Sequence, residues 1–206
     1  QGVPSDMSLY SGTELDKNQA NFAPLTPVSA LKRTERVYRD LPAQIHGRIR
    51  RTWGEVAERC KRLASALSQR GVDKGDTVAL IAPNIPEALE CALAVPMLGG
   101  VLNANNVRLD AATLSFILEH GEAKVLLVDT EYSALARDAV SQTGRDLFIV
   151  DIEDTEGPGG DRIGELTYEA LLEEGSADFL YAPPDDEWDA LALNYTSGTT
   201  GQPKGV

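Results

Sequence analysis

The run Tyr195-Thr196-Ser197-Gly198-Thr199-Thr200-Gly201-Gln202-Pro203-Lys204-Gly205-Val206 brings together four Ser/Thr hydroxyls, three glycines and one lysine, with no carboxylate among them. That is the chemistry of a phosphate grip. Glycines let the backbone approach an anion, neighbouring amide N–H groups can converge on it, and hydroxyls and an ammonium complete the cage. Thr196, Ser197, Gly198, Thr199, Thr200, Gly201 and Lys204 are the candidate phosphate-binding residues. The common P-loop is excluded, because its pattern needs Gly-Lys-Ser/Thr opening a helix, whereas here Pro203 precedes Lys204 and Gly205 follows it. A Gly/Ser/Thr linker would share this composition. A linker, however, has no reason to follow an apolar run such as Ala190-Leu191-Ala192-Leu193, and a phosphate loop at the C-terminal edge of a parallel sheet does.

The elements that must hold such a loop are legible upstream. Residues 1–27 are rich in polar and turn-forming types without sustained periodicity and read as an extended arm; a single domain follows from residue 28. Val28, Leu31 and Val37 predict a short amphipathic helix over 27–38, and Ala43–His46 and Ile49–Arg51 flank Gly47 as a hairpin. Thr52-Trp53-Gly54-Glu55 matches a capping box opening a helix through Val56, Cys60, Leu63, Ala64 and Leu67, with Gly71 as its left-handed stop. From Thr77 the rhythm becomes strand (77–82), helix (capped at 84–87, running to about 98, kinked by Pro96), strand (101–104) and a helix from Asp110. Strand 125–128, a helix near 132–140 and strand 147–150 continue it. Continuous apolar strands alternating with helices predict an α/β fold with a predominantly parallel sheet covered on both faces. Asp151–Glu165 reads as a solvated surface excursion, and 168–174 as a short helix before the strand that feeds the loop.

Composition sets limits. With 206 residues and 42% apolar side chains the chain can bury a sizeable core. Its formal charge of −13 argues against a nucleic-acid or anionic-membrane surface, although no acid follows Asp189, so the field at the loop can still be positive. Cys60 and Cys91 read as core thiols of a reducing compartment, and His46 and His120 are too scattered for a metal site, with His120 at a helix end. No run is long enough for a membrane-spanning helix, and a cytoplasmic location is expected.

Tyr195 to Gly205 resembles the signature of the AMP-forming acyl-activating enzymes, the group of acyl-CoA synthetases, firefly-type luciferases and peptide-synthetase adenylation domains. Thr-Ser-Gly-Thr-Thr-Gly-x-Pro-Lys-Gly matches in one register. The likeness extends through Asp186-Glu187-Trp188-Asp189 into Leu193-Asn194-Tyr195, and through Asn106-Val107-Arg108-Leu109 with Ile117-Leu118 and Gly121. The resemblance implies a carboxylate–CoA ligase that uses ATP, Mg²⁺ and CoA and acts on a small carboxylic acid. It also implies a mobile loop in which Gly198, Gly201 and Gly205 permit closure over the triphosphate. Leu15-Asp16-Lys17-Asn18, Pro24-Leu25-Thr26-Pro27 and Asn103–Leu109 look more like the short- and medium-chain branch, including methylmercaptopropionate-CoA ligases.

In that family the acyl pocket, the adenine and ribose contacts, the metal-binding acid and the catalytic lysine follow the signature. Residues 28–206 therefore read as part of an N-terminal AMP-binding domain, incompetent alone, with no catalytic residue and no metal ligand of its own. A homo-oligomer is compatible with this reading. The rival is a non-catalytic nucleotide-binding or protein-interaction module.

Overall fold

A computed structural model describes residues 16–18, 20–181, 183–196 and 203–206. In chain order the elements are α1 (Pro27–Tyr38), β1 (Pro42–His46), β2 (Ile49–Thr52), α2 (Trp53–Gln69), β3 (Thr77–Ile81), α3 (Pro86–Met97), β4 (Val101–Ala104) and α4 (Ala111–His120). They continue with β5 (Ala123–Asp129), α5 (Ser133–Gln142), β6 (Phe148–Ile152), β7 (Leu166–Thr167), α6 (Tyr168–Glu174), β8 (Tyr195–Thr196) and β9 (Lys204–Gly205).

Five strands form one parallel sheet in the order β4-β3-β5-β6-β7. Alternation along each strand divides its apolar residues between two layers. Val78, Leu80, Val125, Leu127, Val150 and Ile152 pack with residues of α1, α2, α3 and α6. Ala79, Ile81, Leu126 and Val128 pack with Leu114 and Leu118 of α4 and Ala136 and Ala139 of α5. The expected two-faced α/β sheet is therefore present.

Local signals explain most boundaries. The capping box of α2 is formed: Glu55 N–H donates to Thr52 Oγ1 at 3.3 Å and Thr52 N–H to Glu55 Oε2 at 2.7 Å. Gly71, with φ +82°, follows the end of that helix in the left-handed region. At α3 the expected cap at Asn84 is replaced by Ile85, which makes no side-chain cap bond. A residue before proline is driven to extended backbone, and Ile85 (φ −109°, ψ 166°) obeys Pro86. Pro96 lies inside α3 as expected, in its last turn and one residue from its end, and Gly99 at φ +88° turns the chain into β4.

One buried charge cluster holds the α2, α3 and α6 layer together. The Glu90 side chain is wholly buried; Oε1 accepts from Arg59 Nε at 2.8 Å and Arg51 Nη1 at 3.0 Å, and Oε2 accepts from Tyr168 at 3.0 Å. Burial pushes this carboxyl above the ordinary glutamate range against the pull of both guanidinium groups. Arg59 also forks onto Glu169 at 2.6 and 2.9 Å.

The acidic stretch 151–165 departs from the sequence expectation. Asp151 and Ile152 belong to β6, and Asp151 is fully buried, accepting from the amides of Ile163 and Gly164 at 3.1 and 2.8 Å. Both oxygens of Asp154 lie 3.0 Å from Nε2 of His46 on the β1–β2 hairpin. Gly160 runs so close to the Thr130 carbonyl that a Cβ would lie 1.9 Å from that oxygen. The loop is thus folded down over the C-terminal end of β5, beside the topological switch point between β3 and β5 where open α/β sheets commonly take ligands.

Candidate phosphate-binding hairpin

The apolar run before the loop does join the sheet, as a single parallel bridge between Ala192 and Leu102 beyond the β4 edge. Leu102 N–H donates to Leu191 O at 3.1 Å, and Leu193 N–H donates to Leu102 O at 2.9 Å. The buried Asn103 side chain adds Nδ2 to Leu193 O at 2.8 Å, and Asn105 Nδ2 in turn reaches Asn103 Oδ1 at 3.0 Å. Beyond Leu193 the chain leaves β4.

β8 pairs antiparallel with β9, Tyr195 opposite Gly205 and Thr196 opposite Lys204. Asn194 and Val206 close the base by exchanging both backbone hydrogen bonds, at 2.9 and 2.8 Å. Thr196 and Lys204, two of the sequence-derived phosphate residues, are therefore directly opposed and both exposed. Residues directly opposite in an antiparallel pair project to the same face. Ser197, Gly198, Thr199, Thr200 and Gly201 lie outside the described residues; they belong to the segment that joins these two strands.

The opposite face carries Tyr195 and Gly205. The Tyr195 hydroxyl lies 2.7 Å from Nδ1 of His120, whose ring meets the phenol edge-on at 5.8 Å and stacks on Phe116 at 5.3 Å. Burial raises the phenol above its ordinary pKa. Gly121 leaves room for this contact: a Cβ there would sit 3.2 Å from Leu193 Cδ2 and 3.3 Å from the Tyr195 oxygen, and 2.9 Å from the Ile117 carbonyl. Gly205 is likewise a packing position; a Cβ would meet Leu193 Cδ1 at 3.1 Å and the Tyr195 ring at 3.5 Å.

Thr196 supplies a hydroxyl and Lys204 an ammonium on one exposed face, in a segment with no acid after Asp189. This donor set matches a polyphosphate, to which hydroxyls and an ammonium donate while no carboxylate repels. A separate apolar groove of about 370 Å³ lies between Leu25, Met97, Tyr181 and Leu191 and includes none of these residues.

The other sequence-derived candidates fall where structure, not chemistry, accounts for them. His46 is paired with Asp154, and His120 ends α4 as expected. Both cysteines are free and buried, and burial pushes both thiols well up from their ordinary pKa. Among the described residues, no three His, Cys, Asp or Glu side chains converge as a metal site, and no helix is long and apolar enough to cross a membrane. Sequence reasoning missed Asn103 and the His120–Tyr195 pair. An amide and an imidazole give no spacing signal when their partners lie 90 and 75 residues away.

Comparison with known proteins agrees with the residues. Over 205 residues the chain is 42% identical to a peroxisomal acetate/butyrate–CoA ligase of Arabidopsis thaliana, covering 94% of this chain and 36% of that protein. It is 41% identical over 210 residues to a peroxisomal trans-cinnamate:CoA ligase of Petunia hybrida, with the same coverage. The fold superposes on an anthranilate CoA ligase solved with anthranoyl-AMP at a TM-score of 0.79 and 26% identity, covering 87% of this chain and 33% of that one. The chain thus spans about a third of the length of the proteins it matches. Residues 31–206 match the family described as AMP-binding enzyme, and the chain belongs to that family.

Proposed function

We propose that this chain supplies the phosphate grip of an ATP-dependent, AMP-forming carboxylate–CoA ligase. The observation that carries the reading is the pairing of Thr196 with Lys204 at the base of a Ser/Thr/Gly segment. In such a reaction a carboxylate oxygen bonds to the α-phosphorus of ATP as the bond to pyrophosphate breaks. The thiol of CoA then bonds to the acyl carbon as AMP leaves. The carboxylate is a poor nucleophile and the triphosphate is shielded by its own charge, so catalysis depends on holding the β- and γ-phosphates while pyrophosphate develops charge. Lys204 would supply a fixed positive charge, Thr196 and the hydroxyls of Ser197, Thr199 and Thr200 hydrogen bonds, and Gly198 and Gly201 the close backbone approach. Mg²⁺ belongs to this proposal as the counter-charge on the phosphates.

We read residues 28–206 as part of the AMP-binding domain and 1–27 as its arm. The acid substrate is a small carboxylic acid; relatives are named for acetate, butyrate and trans-cinnamate, so the names do not single one out. Cytoplasmic residence and a role in fatty acid metabolism are part of the proposal, with the peroxisome named for several relatives as the rival compartment.

The test is AMP formation by the whole protein with ATP, CoA and a panel from acetate to decanoate plus methylmercaptopropionate and aromatic acids. Carboxylate-dependent AMP is the expected result. A folded whole protein that forms no AMP with any of them would favour a non-catalytic nucleotide-binding or interaction module.

A further inference from the structure

We infer that His120 is a positioning residue for the phosphate hairpin, acting through Tyr195; the inference rests on the function proposed above. Up to Leu193 the segment is fixed to β4 by two backbone bonds and by the Asn103 side chain. From Asn194 to Val206 the described backbone bonds run within the hairpin itself, Asn194 to Val206 and β8 to β9. Such a ladder fixes Thr196 relative to Lys204 but does not by itself fix the pair relative to β4. A two-strand ribbon this short has little stability of its own.

Tyr195 ties the hairpin to α4. Its hydroxyl bonds to Nδ1 of His120 at the end of α4, its ring is covered by Gly205 on the hairpin side, and Gly121 is bare where the hydroxyl and Leu193 come down. The His120 ring is held in turn by stacking on Phe116, one turn back along α4. The bond survives either protonation state, because the phenol donates to a bare Nδ1 and accepts from a protonated one. A tilt that carried Thr196 and Lys204 away from a bound triphosphate would have to break this contact first. His120 touches no substrate in this account; it sets the direction in which the two grip residues point.

The variants are chosen to remove one hydrogen bond and little else. His120→Phe keeps a ring to stack on Phe116, Tyr195→Phe loses only the hydroxyl, and His120→Asn places an amide close to the position of Nδ1. Two quantities are read on the whole protein: kcat/KM for ATP and for the carboxylate, and deuterium uptake of the peptide covering 195–206. His120→Phe and Tyr195→Phe should each lower kcat/KM for ATP by about five-fold, the scale of one neutral hydrogen bond. The carboxylate KM should stay within about two-fold, since the bond acts only on the phosphate hairpin. Uptake in 195–206 should rise in both, the double variant should be no worse than either single one, and His120→Asn should restore both readings. Unchanged uptake and ATP kinetics in His120→Phe, additive effects in the double variant, or no rescue by His120→Asn would each overturn the inference. If the wild-type protein forms no AMP yet uptake follows the expected pattern, the proposed function fails and the seating of the hairpin by His120 stands.

Discussion

Gly205 lies against the ring of Tyr195, and a Cβ at that position would stand 3.5 Å from Cζ of the phenol and 3.1 Å from Cδ1 of Leu193. The glycine after Lys204 thus sits at a tight packing position, and its φ is not among the positive values. Gly205→Ala should therefore displace the hairpin while leaving the domain folded, because the crowded neighbours are a leucine tip and a ring edge that can shift. We expect kcat/KM for ATP to fall several-fold with a stability loss of about 1 kcal/mol, the low end of the cost of overpacking. Gly71→Ala is the contrast: nothing lies within 4 Å of its Cβ position, but φ is +82°. Left-handed backbone costs about 1–2 kcal/mol, so that variant should lose stability and keep its kinetics. Denaturant melts and ATP titrations of the two variants separate the cases.

Glu90 is the acceptor on which Arg51, Arg59 and Tyr168 converge. Replacing it by glutamine keeps the shape and removes the charge, leaving two largely buried guanidinium groups with Glu87 and Glu169 as their carboxylate partners among the described residues. Breaking a buried pair by removing one partner costs about 3–5 kcal/mol. Glu90→Gln is expected near the lower end, about 3 kcal/mol, because those two carboxylates remain. Urea unfolding with an unchanged slope and a lower midpoint is the expected record; a loss under 1 kcal/mol would mean that the cluster adds little to holding α2, α3 and α6.

Acid should loosen the same layer from its outer side. The hydrogen bond from Arg59 holds the Glu169 carboxyl below its ordinary range against the opposing effect of burial. A depressed folded-state pKa stabilises the fold fully above the unfolded value of about 4.3, and that contribution disappears as pH falls through the folded-state value. Glu169 is 62% exposed, so solvent screening limits the contribution to a few tenths of a kcal/mol. Glu169→Gln should therefore flatten the acid limb of the stability–pH curve below about pH 4 by that amount and leave the neutral region offset but parallel. A steeper acid limb in the variant would contradict the assignment.

Short-range signals in the sequence foretold the elements that position the site. The Thr52–Glu55 box, the Asp110 cap of α4 and the apolar strands are each decided within a few residues, and each formed. Features decided by distant partners were not legible. Asp151 and Asp154 looked like a solvated run because the amides of Ile163 and Gly164 and the imidazole of His46 become neighbours only in the fold. β7, β8 and β9 are two residues long, too short for any alternation to register. Of the candidate site, the chemistry of Thr196 and Lys204 could be read from residue types, whereas their direct opposition depends on a ladder closed by Asn194 and Val206. The seat under that ladder, Asn103 and His120, comes from elements far back in the chain.

The most direct test of the central claim, that the Thr196–Lys204 hairpin grips the phosphates of ATP, is carboxylate-dependent exchange of pyrophosphate into ATP by the whole protein and its Lys204→Ala variant. Losing a charge-assisted contact removes roughly 1.5–3 kcal/mol, a factor of about ten to a hundred in kcat/KM for ATP. Lys204→Ala is predicted to show a fall of that size for ATP, with the carboxylate KM within about two-fold of wild type. Exchange that is intact in Lys204→Ala, or a loss that falls on the carboxylate rather than on ATP, would contradict it.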